Sequence, residues 1–392
     1  IGNAMKVLNR LDDSLNLPEE ERLLLDGVRA LCRDHLQPRA AAYDLSGEFP
    51  WDNVAEITKL GLNGMFLPDE YGGSKTSYVS YLAAMREMAK ACASTAMVWG
   101  NTFHAVKPFL NFASHEQKTR LLPKIADGGM VSLCITEPSA GSDATSMKTR
   151  LTPDGDDIII NGSKIFITCG NHAEFYGVFG KWSEIDNDRA SISIVIVEKG
   201  TEGLAIGGKE DKMGQRAAPI VPLTFDNVRV PRANLLGEPG DGLKILFSAL
   251  NESRPSIAAH ALGIARAAFE DAVAYINQRQ QSGRNIIEFQ GIQFLLADMA
   301  TDLALCENWL WRVGAMLDAG EDDIGIEASM LKMRASDLAM QITTDAVQLF
   351  GGYGYIRDYP VERYMRDAKI TQIYEGTNQV HRQLVGRSFI EK

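Results

Sequence analysis

Apolar residues recur at helical spacing from about Pro18 to Gly128, as in Leu24, Val28, Leu31 and Leu36, then Val54, Ile57 and Leu60, then Leu82, Met85 and Met88. A stripe that returns every three or four residues buries one face of a helix, so residues 5–129 are predicted to form an α-helical domain. Gly47-Glu48-Phe49-Pro50 and Pro68-Asp69-Glu70-Tyr71-Gly72-Gly73 carry the Gly and Pro that stop helices between them. From Met130 the period shortens. Ser191-Ile192-Ser193-Ile194-Val195-Ile196-Val197 alternates as a strand does, and residues 130–238 are predicted to be a β domain. Within it Ile158-Ile159-Ile160 and Ile165-Phe166-Ile167 flank Asn161-Gly162, a pair suited to positive φ, and a two-residue hairpin turn is expected there.

After Pro239-Gly240-Asp241-Gly242 the helical period returns in long stretches. Leu295, Met299, Leu303, Cys306, Leu310, Val313 and Leu317 form one, and Met330, Met333, Leu338, Ile342, Ala346 and Leu349 the next. Long antiparallel helices with short connections predict a four-helix bundle over residues 239–392. This order of α, β, α does not give the alternating βαβ units of a dinucleotide-binding sheet. Gly351-Gly352-Tyr353-Gly354 follows a helix, so it is poor evidence for a Rossmann fingerprint. The fold class is multidomain α+β, with no internal repeat of fixed period.

A chain of 392 residues exceeds what one core usually organises, which leaves ample room to bury a cofactor. The formal net charge of -11 gives no general attraction to nucleic acid or anionic lipid. Five widely spaced cysteines without a Cys-x-x-Cys pair read as reduced thiols of a cytosolic or matrix-like compartment. No apolar run approaches the roughly 20 residues of a membrane span, so a soluble protein is expected. The six histidines lack ligand spacing, and no metal is expected. Ile1-Gly2-Asn3-Ala4 before Met5 reads as a cloning remnant.

Four separated segments carry the chemistry. Leu133-Cys134-Ile135-Thr136-Glu137-Pro138-Ser139-Ala140-Gly141-Ser142-Asp143 runs from an apolar strand into a loop of small hydroxyl residues and Gly, where N–H and O–H groups can approach a polar ligand. Ile165-Phe166-Ile167-Thr168-Cys169-Gly170 ends a second strand with an aromatic and a hydroxyl, and the two can form one face for a flat heteroaromatic ring. Gln348 to Tyr355 and Arg366 to Asn378, the latter containing Tyr374-Glu375-Gly376-Thr377, complete the set. Taken alone, a glutamate near a helix start is more often a capping or dipole residue, and Thr136, Thr168 or Ser142 a local turn hydroxyl.

In these four motifs, in this order and over nearly its whole length, the chain resembles the acyl-CoA dehydrogenase family. The resemblance implies a homotetramer of subunits with an N-terminal helical domain, a β-barrel-like middle domain and a C-terminal bundle, with FAD between the last two and a neighbouring subunit. It implies that Thr136 and Thr168 bond the isoalloxazine edge beside Leu133 and Ile135, that Phe166 packs on the ring, and that Ser142 helps hold the thioester arm. Arg279, Gln290, Gln348 and Gly352 would contact the adenosine and pyrophosphate part across a subunit interface, with Thr377 and Gln379 closing the site. A forked arginine and a side-chain-free glycine suit a pyrophosphate. Two positions depart from the family's pattern: Phe166, where tryptophan is more usual, and Ser282, where an aromatic follows the arginine motif.

By the same resemblance Glu375 is the catalytic base, taking the α proton of the thioester while the β hydrogen leaves as hydride, and Arg254, Tyr374 and Gly376 contact substrate. Other relatives place the base just before the arginine of Leu250-Asn251-Glu252-Ser253-Arg254, a position that is Ser253 here. Glu252 is one residue off, about a 100° rotation on a helix, and should point elsewhere. Thr95 stands where glutaryl-CoA-specific relatives carry arginine, which implies an apolar acyl tail. Met97, Trp99 and Phe103 are candidates to line its pocket, though helical spacing fits simple core as well. Arg366 and Asp367 are expected to buttress the loop that carries Glu375. The implied partner is an electron-transfer flavoprotein. An oxygen-using acyl-CoA oxidase is disfavoured by the absence of an additional C-terminal helical domain, and a non-catalytic flavin-binding relative by the intact Glu375.

Overall fold

The computed structural model describes residues 5–13 and 15–390, so the opening Ile1–Ala4 lies outside the described residues. Seven helices precede the sheet: α1 (Lys6–Asp13), α2 (Glu19–Leu31), α3 (Gln37–Ser46), α4 (Trp51–Lys59), α5 (Tyr78–Ala91), α6 (Ala93–Phe112) and α7 (His115–Ala126), counted among the described residues. The sheet strands are β1 (Val131–Cys134), β2 (Arg150–Asp154), β3 (Asp157–Thr168), β4 (Phe175–Trp182), β5 (Ile192–Glu198), β6 (Leu204–Ile206), β7 (Ile220–Pro231) and β8 (Leu235–Leu236). α8 (Gly242–Ile276) follows, then a short hairpin of β9 (Gln280–Gln281) and β10 (Arg284–Asn285). The chain ends in α9 (Gln290–Asp318), α10 (Gly325–Phe350), α11 (Val361–Lys369) and α12 (Asn378–Arg387). Among the described residues no helix is long and apolar enough to cross a membrane.

The sheet order is β6-β7-β3-β2-β4-β5-β8, and β1 also pairs with β4. β1 and β2 both run parallel to β4, β1 against Phe175–Val178 and β2 against Lys181 and Trp182. The two strands therefore lie end to end along one edge of β4, and residues 135–149 make an excursion away from it. Strands β4 and β5 are buried on both faces, because alternate residues serve two cores. Phe175, Phe179, Ile192, Ile194 and Ile196 pack on the helices, while Tyr176, Val178, Val195 and Val197 fill the interior of the sheet. Phe109 of α6 meets Phe175 edge-on, with centroids 5.3 Å apart.

α8, α9, α10 and α11 pack as a helical bundle, with α5 and α6 laid against α8. The α8 face is built for close approach. Gly263 lies where a Cβ would meet the Arg86 carbonyl at 2.3 Å, so α5 and α8 approach backbone to backbone. Buried charges stitch the same region: Arg266 and Arg86 share the fully buried Glu307 at 2.8 and 3.3 Å.

The expected hairpin at Asn161-Gly162 is not there. Both residues lie inside the continuous strand β3, at a register shift against β7 between Ile160 and Gly162. The turn falls earlier, at Gly155-Asp156, where Asp154 pairs with Asp157 and Gly155 has φ +62°. Gly162 answers a different need: a Cβ there would sit 2.5 Å from Thr149 Oγ1 and 2.7 Å from Thr149 Cα. A strand glycine at a bulge with a close backbone neighbour is the competing meaning of the same signal. Gly162→Ala is expected to lower unfolding free energy by about 1–3 kcal/mol, the usual cost of overpacking. Urea denaturation monitored by tryptophan fluorescence reads that loss.

Candidate functional site

Glu375 lies in the short segment between α11 and α12, on a left-handed residue with φ +55°, followed by Gly376 at φ +93°. Thr377 then caps α12, its hydroxyl accepting from Val380 N–H. A β-carbon in the left-handed region is disfavoured, so the surroundings must enforce this turn. Two carbonyls of the turn are held from different helices. His381 Nε2 donates to the Glu375 carbonyl at 3.2 Å, and Lys332 Nζ on α10 donates to the Gly376 carbonyl at 2.6 Å. A Cβ on Gly376 would come within 3.0 Å of the His381 ring, which leaves glycine as the fit.

The Glu375 carboxylate turns toward α8, where Ser253 Oγ donates to Oε2 at 2.9 Å. Desolvation raises its pKa, opposed by the Ser253 hydrogen bond and by the charges of Arg254 and Lys332. Both cations are buried. Arg254 Nη1 donates to Ser329 Oγ at 3.3 Å, and its Nε has no partner. Tyr374, next in sequence, sits against Met97, Val98, Met130, Cys169 and Ile257, with its hydroxyl 3.4 Å from His260 Nδ1. His260 Nε2 donates to the Ala93 carbonyl, which leaves Nδ1 free to accept. Burial lowers this imidazole to about 4.

The second element of the site is the excursion after β1. Ile165 N–H donates to the Thr136 carbonyl at 2.9 Å, and Ser132 Oγ donates to the Thr168 carbonyl at 2.7 Å. Thr136, Thr168 and Phe166 are thereby brought onto adjoining backbone. Phe166 occupies the register shift between Lys164 and Ile167 with φ +58°, and its ring is 55% exposed. An apolar ring held outward on a left-handed residue is a face without a partner inside this chain. Leu133 and Ile135 are partly buried against the helical core, and Ser142 is exposed on the loop.

One buried ion pair anchors that loop. Lys164, fully buried on β3, donates to Glu137 at 2.8 Å and to the Ile135 carbonyl at 3.0 Å. Glu137 also accepts from Lys148 N–H, Thr149 N–H and Thr149 Oγ1, at 2.6, 3.0 and 2.6 Å. Burial pushes the lysine down, while its cation and the three other donors hold the carboxyl below the usual range against burial.

A separate groove of roughly 640 Å³ brings together Arg279, Gln348 and Gly352 with Tyr275, Phe350 and Tyr353. The Arg279 guanidinium lies 5.4 Å from the Tyr353 ring centre. Nothing lies within 4 Å of where a Cβ on Gly351 or Gly352 would stand, so the groove floor is bare backbone. Gln290 opens α9, exposed but outside the groove lining, and the β1–β3 residues do not line it either. Thr377 is partly buried and Gln379 exposed beside Glu375. Ser282 has φ +50° in the tight turn between β9 and β10, where a bulky aromatic would be strained.

Glu252 points away from Glu375, as its helical position predicts. It is paired with Lys107 at 2.8 Å and bonded by the Tyr78 hydroxyl and Asn111. Thr95 is fully buried between Asn53 and Cys92. Of the three candidate pocket residues, only Met97 lies beside Tyr374. Phe103 stacks on Tyr81 at 3.7 Å, and Trp99 donates to the Leu62 carbonyl within the helical core. Arg366 and Asp367 brace a neighbouring segment instead of the Glu375 loop directly. Arg366 pairs with Asp44 and Glu362 and donates to the Met213 carbonyl, and Asp367 accepts from Gln215 N–H at 2.5 Å. Sequence reasoning missed Lys332 and His381. The signal was present for the first, a lysine on the buried stripe Ala328, Leu331, Ala335 and Ala339.

Against known proteins, residues 18–129, 132–228 and 240–390 match the models described as acyl-CoA dehydrogenase N-terminal, middle and C-terminal domains. The chain is 42% identical over 383 residues to a probable acyl-CoA dehydrogenase, fadE25, of Mycobacterium leprae, covering 97% of this chain and 98% of that one. The butyryl-CoA dehydrogenase structure from Megasphaera elsdenii superposes with a TM-score of 0.93 at 38% identity, covering 96% and 100%. A chain solved in work on the electron transferring flavoprotein of Acidaminococcus fermentans gives 0.93 at 39%, covering 97% and 100%.

Lys164→Met would leave the Glu137 carboxylate buried without its cation. Removing one partner of such a pair costs about 3–5 kcal/mol, and urea unfolding of the variant is expected to show a loss of that size.

Proposed function

The chain belongs to the acyl-CoA dehydrogenase family, whose members are FAD-dependent oxidoreductases acting on acyl-CoA thioesters, and on that premise we propose that it converts an acyl-CoA to the trans-2-enoyl-CoA with Glu375 as the base. The observation that carries this reading is the Glu375 carboxylate itself. It is partly buried, held at one oxygen by Ser253, and faced by two buried cations on a turn the chain must be forced to make.

An α C–H beside a thioester carbonyl is weakly acidic, so the base needs a raised affinity for a proton and the developing enolate needs hydrogen-bond donors. Burial supplies the first to Glu375. The turn supplies a backbone N–H beside the carboxylate for the second. Glu375 takes the α proton onto its carboxylate as the α,β double bond forms, and Ser253 steadies the carboxylate by donating to Oε2. Tyr374 and the Met97–Ile257 cluster exclude water from one side, which fits an apolar acyl tail. Ser142 on the exposed loop and Arg254 beside Glu375 are the proposed thioester-arm and substrate contacts.

The residues present fit FAD. Phe166 offers an unpartnered ring, the Thr136 and Thr168 backbone and hydroxyls adjoin it, and the groove of Arg279, Gln348 and Gly352 offers a forked cation and bare backbone to a pyrophosphate. Gln290, Thr377 and Gln379 are assigned to the same cofactor by the family's pattern. When bound, FAD supplies the acceptor for the β hydrogen as hydride. An electron-transfer flavoprotein is the proposed onward acceptor. A homotetramer is supported by large apolar side chains left exposed on the C-terminal helices and the turn after α10, including Phe294 (61%), Leu305 (64%) and Tyr355 (87%).

Glu375→Gln is expected to slow anaerobic flavin bleaching by acyl-CoA at least about 10²-fold, the scale of a lost general base, while Glu252→Gln keeps it. The opposite result removes the assignment. The base acts only when ionised and burial raises its pKa, so kcat/KM rises with pH through a value above the ordinary carboxylate range. Stopped-flow reduction across a pH series measures that limb.

A further inference from the structure

Lys332 has no counterion in contact. It is fully buried on α10, and among the described residues no carboxylate lies within 4 Å of its nitrogen. Its bonds go to two neutral oxygens, the Gly376 carbonyl at 2.6 Å and Asn378 Oδ1 at 3.2 Å. An ammonium of purely structural use in a protein interior is normally paired, because the isolated charge is costly to bury. The buried Lys164 and Lys107 obey that rule with Glu137 and Glu252. Lys332 breaks it, and the carboxylate that feels its charge most is Glu375.

Resting on the reading of Glu375 as the base, we propose that Lys332 is a positioning residue for proton abstraction. Its ammonium group clamps the Gly376 carbonyl and the Asn378 side chain, and so holds the Tyr374–Thr377 turn with the Glu375 carboxylate ionised and directed at Ser253.

The clamp has two jaws. His381 holds the Glu375 carbonyl from α12, and Lys332 holds the next carbonyl from α10, so both peptides of the left-handed turn are fixed from outside it. Asn378 ties the jaws together, since it accepts from Lys332 and donates to Ser336 at 2.9 Å and Asp337 at 2.7 Å. The groups facing Lys332 are Glu375 on the turn, Arg254 on α8, His381 on α12 and Asp337 on its own helix. Asp337 is engaged by Arg382, Gln372 and Asn378, and burial with the two nearby cations lowers His381 to about 3, so its imidazole stays neutral. Burial lowers Lys332 to about 7, with Glu375 acting to keep its proton. The two groups therefore titrate as a linked pair. A protonated Lys332 favours an ionised Glu375, which is the form that can accept the α proton.

The test uses holoenzyme carrying Lys332→Met, which keeps length without charge, and Lys332→Gln, which keeps a donor to the Gly376 carbonyl without charge. The first readout is solvent deuterium exchange at the α carbon of a bound acyl-CoA, followed by mass spectrometry, which needs the base but not completed oxidation. The second is the pH profile of flavin reduction. Lys332→Met is expected to slow exchange and reduction by about 10- to 100-fold, the scale of a misplaced reacting group. Its acid limb moves to higher pH by about one unit, because the cation that held the base ionised is gone. Lys332→Gln recovers part of the rate but keeps the displaced limb.

Wild-type exchange and an unmoved limb in Lys332→Met overturn the inference, as does failure of both variants to fold with flavin, which would make the residue structural only. Glu375→Gln run alongside separates the two claims. If it still exchanges and reduces, the base assignment falls; if it is dead while Lys332→Met behaves as wild type, only the role of Lys332 falls.

Discussion

A carboxylate drawn partly out of water must be compensated, and in this protein that constraint organises the candidate site. Glu375 reaches its place only by a left-handed backbone conformation, which the chain does not adopt unaided. The groups nearby hold that conformation and its charge: Ser253 at one oxygen, Arg254 and Lys332 as nearby cations, His381 and Lys332 on the flanking carbonyls. Three helices, α8, α10 and α12, supply these groups, so the long C-terminal helices act as a rigid frame for a turn of four residues.

Backbone strain is not spread evenly over the chain. Among the described residues seven non-glycine residues have positive φ, and four of them, Phe166, Cys169, Gln215 and Glu375, belong to the candidate site or to the segments braced against it. Phe166 is turned outward by a register shift in β3, Cys169 three residues on has its N–H on the Pro219 carbonyl, and Gln215 is pinned by Asp367. Cys169, Gln215 and the Glu375 turn are held by buried partners on neighbouring elements, and Phe166 by the strand pairing on either side of its register shift. The sheet and the bundle thus contribute strained presentation of side chains as well as a core.

Much of this was legible in the sequence, for physical reasons that differ by element. The helical thirds were readable because a 3.6-residue apolar period has one meaning over ten or more residues. Ser191 to Val197 was readable as a strand, but its burial on both faces was not, since that depends on helices far away in the chain. Asn161-Gly162 misled because a turn and a crowded bulge both select glycine; only the position of Thr149 decides between them. At the candidate site, Glu375, Thr136, Thr168 and Phe166 were singled out through linked motifs, and the divergence of Glu252 followed from helix geometry alone. The supports escaped notice. Lys164 sits at an inward strand position and Lys332 on an apolar helix stripe, and in each case a charge out of pattern was the available clue. Their partners, Glu137 and the Gly376 carbonyl, are apparent only after folding.

The end-to-end placement of β1 and β2 on one edge of β4 separates two properties that are usually entangled. The chain leaves the edge at Cys134 and rejoins it at Arg150, and both anchor points are set by pairing with β4. The exposed residues between them, Pro138, Ser139 and Gly141–Asp143, can change composition while the sheet on either side stays in register, because the buried Glu137, Ala140, Met147 and Thr149 pin the excursion. Variation confined to that exposed stretch is therefore separable from the scaffold's folding free energy, to which the buried residues of the excursion contribute.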